Sequence, residues 1–212
     1  MGSEMCISDR TCIIEKICCD MKSFTWFILK TSTAYGSIAI LFSFIGLILP
    51  NAIILGSPLD SYVTIEHVMG HIVWGLVVGI VSFSLRYVVI AGLFPIILDA
   101  DHLLQFLGVE MIARMAHSIP FALVAIIVMM IIFGKKDLRL IAISFAAVFA
   151  HMSFDIFLGG STEFPILAPL TSQFFGFAGY DWIIFELIAI GIVGSASVIF
   201  LIKQKSKQVF SI

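Results

Sequence analysis

LRLIAISFAAVFAHMSFDIFL, residues 138–158, is the stretch on which the fold turns. Apart from Arg139 at its start, it stays almost wholly apolar until His151 and Asp155. It is long enough for a helix to cross a hydrocarbon core, which takes about 20 residues. His151 and Asp155 form an i, i+4 pair and so share one helix face. Ionisable groups inside a membrane are costly unless they pair, face water or hold a cation. The stretch therefore predicts a membrane helix that carries a polar site late in its course.

Five more apolar runs surround it: Phe24–Leu49, Val63–Phe83, Tyr87–Leu98, Ile119–Phe133 and Trp182–Ile202. With 60% hydrophobic and 12% charged residues over 212 positions, the chain exceeds the roughly 45–50% apolar content of soluble domains. The expected fold is all-α, a polytopic membrane helical bundle of about six transmembrane helices. Residues 21–212 are expected to form one transmembrane helical domain. Residues 1–20 read as an artefactual or disordered leader, because Met1–Arg10 resembles adapter read-through and Met21–Lys22 offers a start. Cys6, Cys12, Cys18 and Cys19 all precede the first run and match no paired zinc-ligand spacing, so free or acylated thiols are expected. A net charge of −2, with the basic residues scattered between apolar runs, carries no nucleic-acid footprint.

Basic residues fall at alternate ends of successive runs: Lys22 and Lys30, Arg86, then Lys135, Lys136 and Arg139, then Lys203, Lys205 and Lys207. Only Arg114 lies on the other side. Basic loops face the cytoplasm, so both termini are expected there, in a multi-pass protein of the cytoplasmic (plasma) membrane. Histidines and acidic residues took no part in that assignment, yet they segregate toward the opposite side. His71 lies 12 residues from Phe83, Asp99 12 from Tyr87, His151 13 from Leu138 and His117 16 from Phe133. At 1.5 Å per residue all four stand roughly 18–24 Å above the inner boundary. They form one layer, recessed into the non-cytoplasmic leaflet of a core about 30 Å thick.

Any one of these histidines alone would read as a hydrogen-bonded packing residue, but their common depth argues for a shared site. His67 and His71 are a second i, i+4 pair, and Asp99 and His102 an i, i+3 pair. Imidazoles and carboxylates without a nearby thiolate suit a divalent metal, Zn first, with Mn or Fe as alternatives. More than four candidate donors leave one or two ions open. Ser118, Ser153 and Ser161 lack the Gly-x-Ser-x-Gly setting of a serine nucleophile.

Gly70–His71, Asp99–Ala100–Asp101–His102, His117–Ser118 and His151–Met152–Ser153–Phe154–Asp155 together resemble the LexA-regulated, membrane-bound, metal-dependent hydrolase family. The resemblance runs from about Glu66 to Leu170 and includes the trailing Gly159, Gly160, Pro165 and Pro169. Leu98 stands where that family usually has proline, and Ala116 where it has threonine. The family's His-Arg pair falls on Ile112 and Ala113. The pattern is that of a divergent member. The His-x-x-x-Asp helix is also similar to that of zinc-dependent phospholipases C, which implies phosphoester chemistry.

The function expected is hydrolysis of a lipid or lipid-linked (phospho)ester by a metal-activated water, with membrane lipid as partner. The expected ligands are His71, Asp99, His102, His117, His151 and Asp155. Asp101 or Glu186 is the expected general base. His67 and Ser118 are expected behind the ligands, orienting them; Glu66–His71 has the metalloprotease histidine spacing without the glutamate after the first histidine. The alternatives are a divalent-metal transporter using the same residues as a transient station, or a catalytically degenerate metal-binding membrane protein.

Overall fold

The computed structural model describes residues 9–49, 53–54, 64–100, 110–112, 114–134 and 137–209. Six α-helices carry the described chain: α1 (Asp9–Ser43), α2 (Ile65–Ile80), α3 (Leu85–Leu98), α4 (Ile119–Phe133), α5 (Leu138–Gly159) and α6 (Asp181–Val209). Each apolar run becomes one helix. Two antiparallel ribbons were not expected: β1 (Ile53–Ile54) pairs with β2 (Glu110–Met111), and β3 (Ser161–Phe164) with β4 (Phe175–Ala178). Helix α1 also runs back to Asp9, into the stretch expected to be a disordered leader. No proline or glycine stands between Asp9 and Tyr35 to stop it. Lys135, Lys136, Asp101 and His102 lie outside the described residues.

Local chemistry sets the helix starts. The side chains of Thr64, Ser118 and Asp137 accept from the backbone N–H groups of His67, Phe121 and Leu140, capping α2, α4 and α5. Helix α5 stops where Gly160 takes a left-handed conformation, φ 67°, that a side chain would disfavour.

Helix α5 is the centre of the bundle and packs against α2, α3, α4 and α6. Across the core, Tyr35 of α1 stacks on Phe94 of α3 at 4.1 Å, and its hydroxyl donates to the Ser144 carbonyl of α5 at 3.0 Å. Helices α2 and α3 approach at backbone distance, because Gly75 lies directly against the Ala91 carbonyl and Gly79 against Val88. Near the starts of α3 and α5 the Tyr87 hydroxyl lies 2.9 and 2.8 Å from the two Asp137 carboxylate oxygens, with Arg139 over the Tyr87 ring. The two helices are thereby tied in parallel, so Asp99 and His151 arrive level at their other ends.

Three segments, Asp20–Leu47, Leu138–Gly159 and Asp181–Ser206, are long and apolar enough to cross a membrane. Helices α2, α3 and α4 have 16, 14 and 15 residues. They reach roughly 21–24 Å, short of a core about 30 Å thick. Large apolar side chains such as Leu41, Ile80, Ile131, Leu187 and Ile202 are exposed, whereas His71, His117, His151 and Asp155 are buried. An apolar exterior around a core that buries a polar cluster is consistent with membrane association.

Candidate metal centre

Four elements deliver six side chains to one place. Helix α2 supplies His67 and His71, the end of α3 supplies Asp99, a 3-10 turn (Met115–His117) supplies His117, and α5 supplies His151 and Asp155. His71 Nε2 lies 3.2 Å from Asp155 Oδ1 and 3.7 Å from Asp99 Oδ2. His67 Nε2 lies 3.3 Å from Asp99 Oδ2 and 3.0 Å from His71 Nε2. His151 Nε2 lies 3.4 Å from both Asp99 Oδ1 and Asp155 Oδ2, and 2.7 Å from His117 Nε2. His71, His117 and His151 are fully buried, while His67 is half-buried at the rim.

One hydrogen bond decides what these atoms offer. Helix α3 ends at Leu98, and the N–H of Asp99 turns to the carbonyls of Ile96 and Ile97. His151 Nδ1 approaches the Pro95 carbonyl oxygen at 2.7 Å. A carbonyl only accepts, so Nδ1 carries the hydrogen and, in the neutral ring, Nε2 is a bare acceptor. That bare nitrogen faces a carboxylate oxygen on each side, and Asp155 Oδ1 is buried without a hydrogen-bond donor. Acceptors converging in this way favour a cation between them, beyond the Arg114 guanidinium 3.7 Å from Asp155 Oδ2 and the His117 ring hydrogen-bonded to His151.

The spacing suits one. Nitrogen and oxygen donors about 2.0–2.2 Å from a tetrahedral ion stand roughly 3.3–3.5 Å apart. Three sets of donors, His67–His71–Asp155, His71–Asp99–His151 and His117–His151–Asp155, each have their ligand atoms within 4.8 Å of one another and can hold a metal ion. An outer hydrogen bond of the kind His151 makes to Pro95 is how metal-binding histidines are usually oriented.

Aromatic walls close the site. The Phe154 ring centroid lies 4.8 Å from that of His71 and 6.0 Å from that of His67, and Phe164 stacks on His117 at 6.0 Å. Phe164 reaches His117 because the chain reverses after α5: Thr162 donates to the Asp155 carbonyl at 3.2 Å, and the N–H of Ile119 donates to the Ile166 carbonyl at 2.9 Å. Arg114 holds a left-handed backbone, φ 56°, and its guanidinium lies 3.7 Å from Asp155 Oδ2, beside the Phe164 ring. Such strain in a non-glycine residue is typical of functional sites.

Of the expected ligands, His71, Asp99, His117, His151 and Asp155 are brought together, and His102 lies outside the described residues. Asp101, one of the two expected bases, lies there too. Glu186, the other, is buried between α5 and α6 beside Ser153, with Oε2 lacking a hydrogen-bond partner, and belongs to none of the three donor sets. Ser153 there accepts from the Trp74 indole at 3.2 Å and donates to the Trp182 carbonyl at 2.8 Å. Ser118 caps α4 and fixes the chain next to His117. Ser118→Ala is expected to lower stability by about 1 kcal/mol with metal content retained, as thermal unfolding and elemental analysis will read. Metal loss in that variant would give the hydroxyl a role at the centre itself.

Arg114 was noted in the sequence only as a basic residue on the unexpected side. Phe164 and the Pro95 carbonyl carried no signal, being one more aromatic and one more helical peptide group. Compared with known protein families, curated proteins and solved structures, the chain gives no match.

Proposed function

We propose that this chain is a membrane-embedded, metal-dependent hydrolase of a lipid or lipid-linked ester. In this reading six helices cross the membrane, both termini are cytoplasmic, and the centre opens toward the non-cytoplasmic leaflet. The observation that carries it is the convergence of buried His71, His117 and His151 with Asp99 and Asp155, donor sets that could hold a metal ion. The resemblance of the same residues to the LexA-regulated hydrolase family supports it. So does the apolar exterior, from which a lipid can approach without crossing water.

His71, Asp99, His117, His151 and Asp155 would hold the ion, Zn first and Mn or Fe as alternatives. When bound, such an ion polarises the oxygen under attack and makes water acidic enough to serve as nucleophile near neutral pH. The Pro95 carbonyl keeps His151 Nε2 bare and aimed inward. Phe154 and Phe164 exclude bulk water, which strengthens every charge interaction within. Arg114 stands where it can neutralise negative charge developing on a phosphoryl or acyl oxygen. Transport fits less well. Below the centre the inward face of α5 offers Ser144, whose hydroxyl is already committed to the Leu140 carbonyl at 2.8 Å.

The test is hydrolysis of phospholipid in mixed micelles by metal-replete protein, with and without chelator. Chelation is expected to abolish product release, and Arg114→Ala to lower kcat about 10²–10³-fold with metal retained. Metal-replete protein that cleaves no lipid ester, yet carries metal into proteoliposomes, would replace the hydrolase by the transporter.

A further inference from the structure

The centre contains more donor geometry than one ion can use. His71 and His151 stack face to face, ring centroids 3.9 Å apart and planes only 8° from parallel. An imidazole nitrogen donates its lone pair in the plane of the ring. An ion in the plane of His71 therefore stands out of the plane of His151 by about the stacking distance, and the reverse holds for an ion on His151. The two rings cannot share one ion in good geometry.

Each has a partner that can. His67 stands at 81° to His71, and His117 at 77° to His151. The Nε2 atoms are 3.0 Å apart in the first pair and 2.7 Å in the second. These are hydrogen-bond distances, and an ion taken up between the two nitrogens would replace the shared hydrogen and widen each pair slightly, so the four histidines divide into two pairs.

The carboxylates divide between the same pairs. Asp99 turns Oδ2 to His67 and His71, at 3.3 and 3.7 Å, and Oδ1 to His151 and His117, at 3.4 and 3.8 Å. Asp155 turns Oδ1 to His71 at 3.2 Å and Oδ2 to His151 at 3.4 Å. Each carboxylate therefore reaches one pair with one oxygen and the other pair with the second.

We propose that this is a two-metal centre bridged by Asp99 and Asp155, with His67 and His71 on one ion and His117 and His151 on the other. The 3.9 Å stacking of His71 on His151 matches the separation of about 3.5–4 Å at which paired catalytic ions stand. The inference rests on the reading of this site as a metal centre and deepens it in two ways. His67 becomes a ligand instead of an orienting residue behind His71. The substrate narrows to phosphoesters, because two ions can stabilise both the attacking and the leaving oxygen of an in-line displacement at phosphorus. Arg114 beside Asp155 adds a third positive charge for the same group.

The experiment uses the full chain in detergent, stripped with chelator, reloaded with Mn²⁺ alone and freed of excess. Elemental analysis is expected to give two Mn per chain, with the exchange-coupled electron paramagnetic resonance spectrum of a close pair. Half-buried His67 can be truncated with little disturbance, and His67→Ala is expected to leave one Mn per chain and an uncoupled spectrum. One uncoupled Mn in the wild type would overturn the two-ion centre while leaving a metal site. No bound Mn would overturn both readings, and two coupled ions in His67→Ala would overturn the assignment of His67. The wild-type spectrum needs no variant, so a folding failure leaves the proposal testable.

Discussion

His151→Ala is expected to yield a helical protein that has lost its metal and at least about 10²-fold of its hydrolytic turnover. Changes merely behind a metal ligand commonly cost 10–100-fold. His151 ties several parts of the centre together: Nε2 faces Asp99, Asp155 and His117, and Nδ1 anchors the ring to the Pro95 carbonyl between α3 and α5. Alanine removes a donor and leaves two buried carboxylates facing each other across a void. The measurement is elemental analysis beside circular dichroism and size-exclusion profiles. A variant with full metal content and unchanged turnover would remove His151 from the ligand set and from the mechanism.

Gly75→Leu is expected to have the largest effect on the fold, at least about 3 kcal/mol, enough to abolish a monodisperse purified species. A Cβ at Gly75 would overlap the Ala91 carbonyl oxygen, which is backbone and cannot rotate away. The two helices would have to separate, and α2 carries His67 and His71 while α3 ends at Asp99. Even Gly75→Ala should fail in part. Gly191 on α6 is the matched control, since a Cβ there meets nothing within 4 Å. Gly191→Ala should be neutral or slightly stabilising, because alanine is the better helix former by about 0.8–1.0 kcal/mol. Equal thermal stability of the two alanine variants would show that α2 and α3 do not pack at backbone distance.

Much of this was legible in the chain because apolar runs and ionisable residues obey strict rules in a hydrophobic setting. The run Ile119–Phe133 coincides with α4, and those of α2, α3 and α5 fall within a few residues of their helices, whereas α1 begins well before its run and α6 continues past its own. Depth counted along separate helices placed His71, Asp99, His117 and His151 in one layer, and these side chains do meet. What escaped depends on contacts between distant segments. The β3–β4 ribbon that carries Phe164 to His117 is short, and its alternation is hidden among many other phenylalanines. The His71–His151 stacking depends on the rotation of α2 against α5, which residue spacing within either helix does not fix. Glu186, read as a candidate base, lies beside Ser153 at the α5–α6 interface, an azimuth that depth alone does not give.

The unequal helix lengths have a mechanical consequence for the surrounding bilayer. On the six-span reading, α2 and α3, with 16 and 14 residues, pack together as a short flank, while the apolar segments Asp20–Leu47 and Asp181–Ser206 extend over 28 and 26 residues. Lipid beside the short flank must compress to cover it, whereas beside α6 it can stretch or let the helix tilt. Hydrophobic mismatch of this kind thins the membrane on the side where α2 and α3 present the centre. On the proposed function, a headgroup linkage on that side would be drawn down toward the centre before any specific contact is made. Acyl-chain length in the host membrane would then control access, with thicker bilayers holding the ester farther from His67.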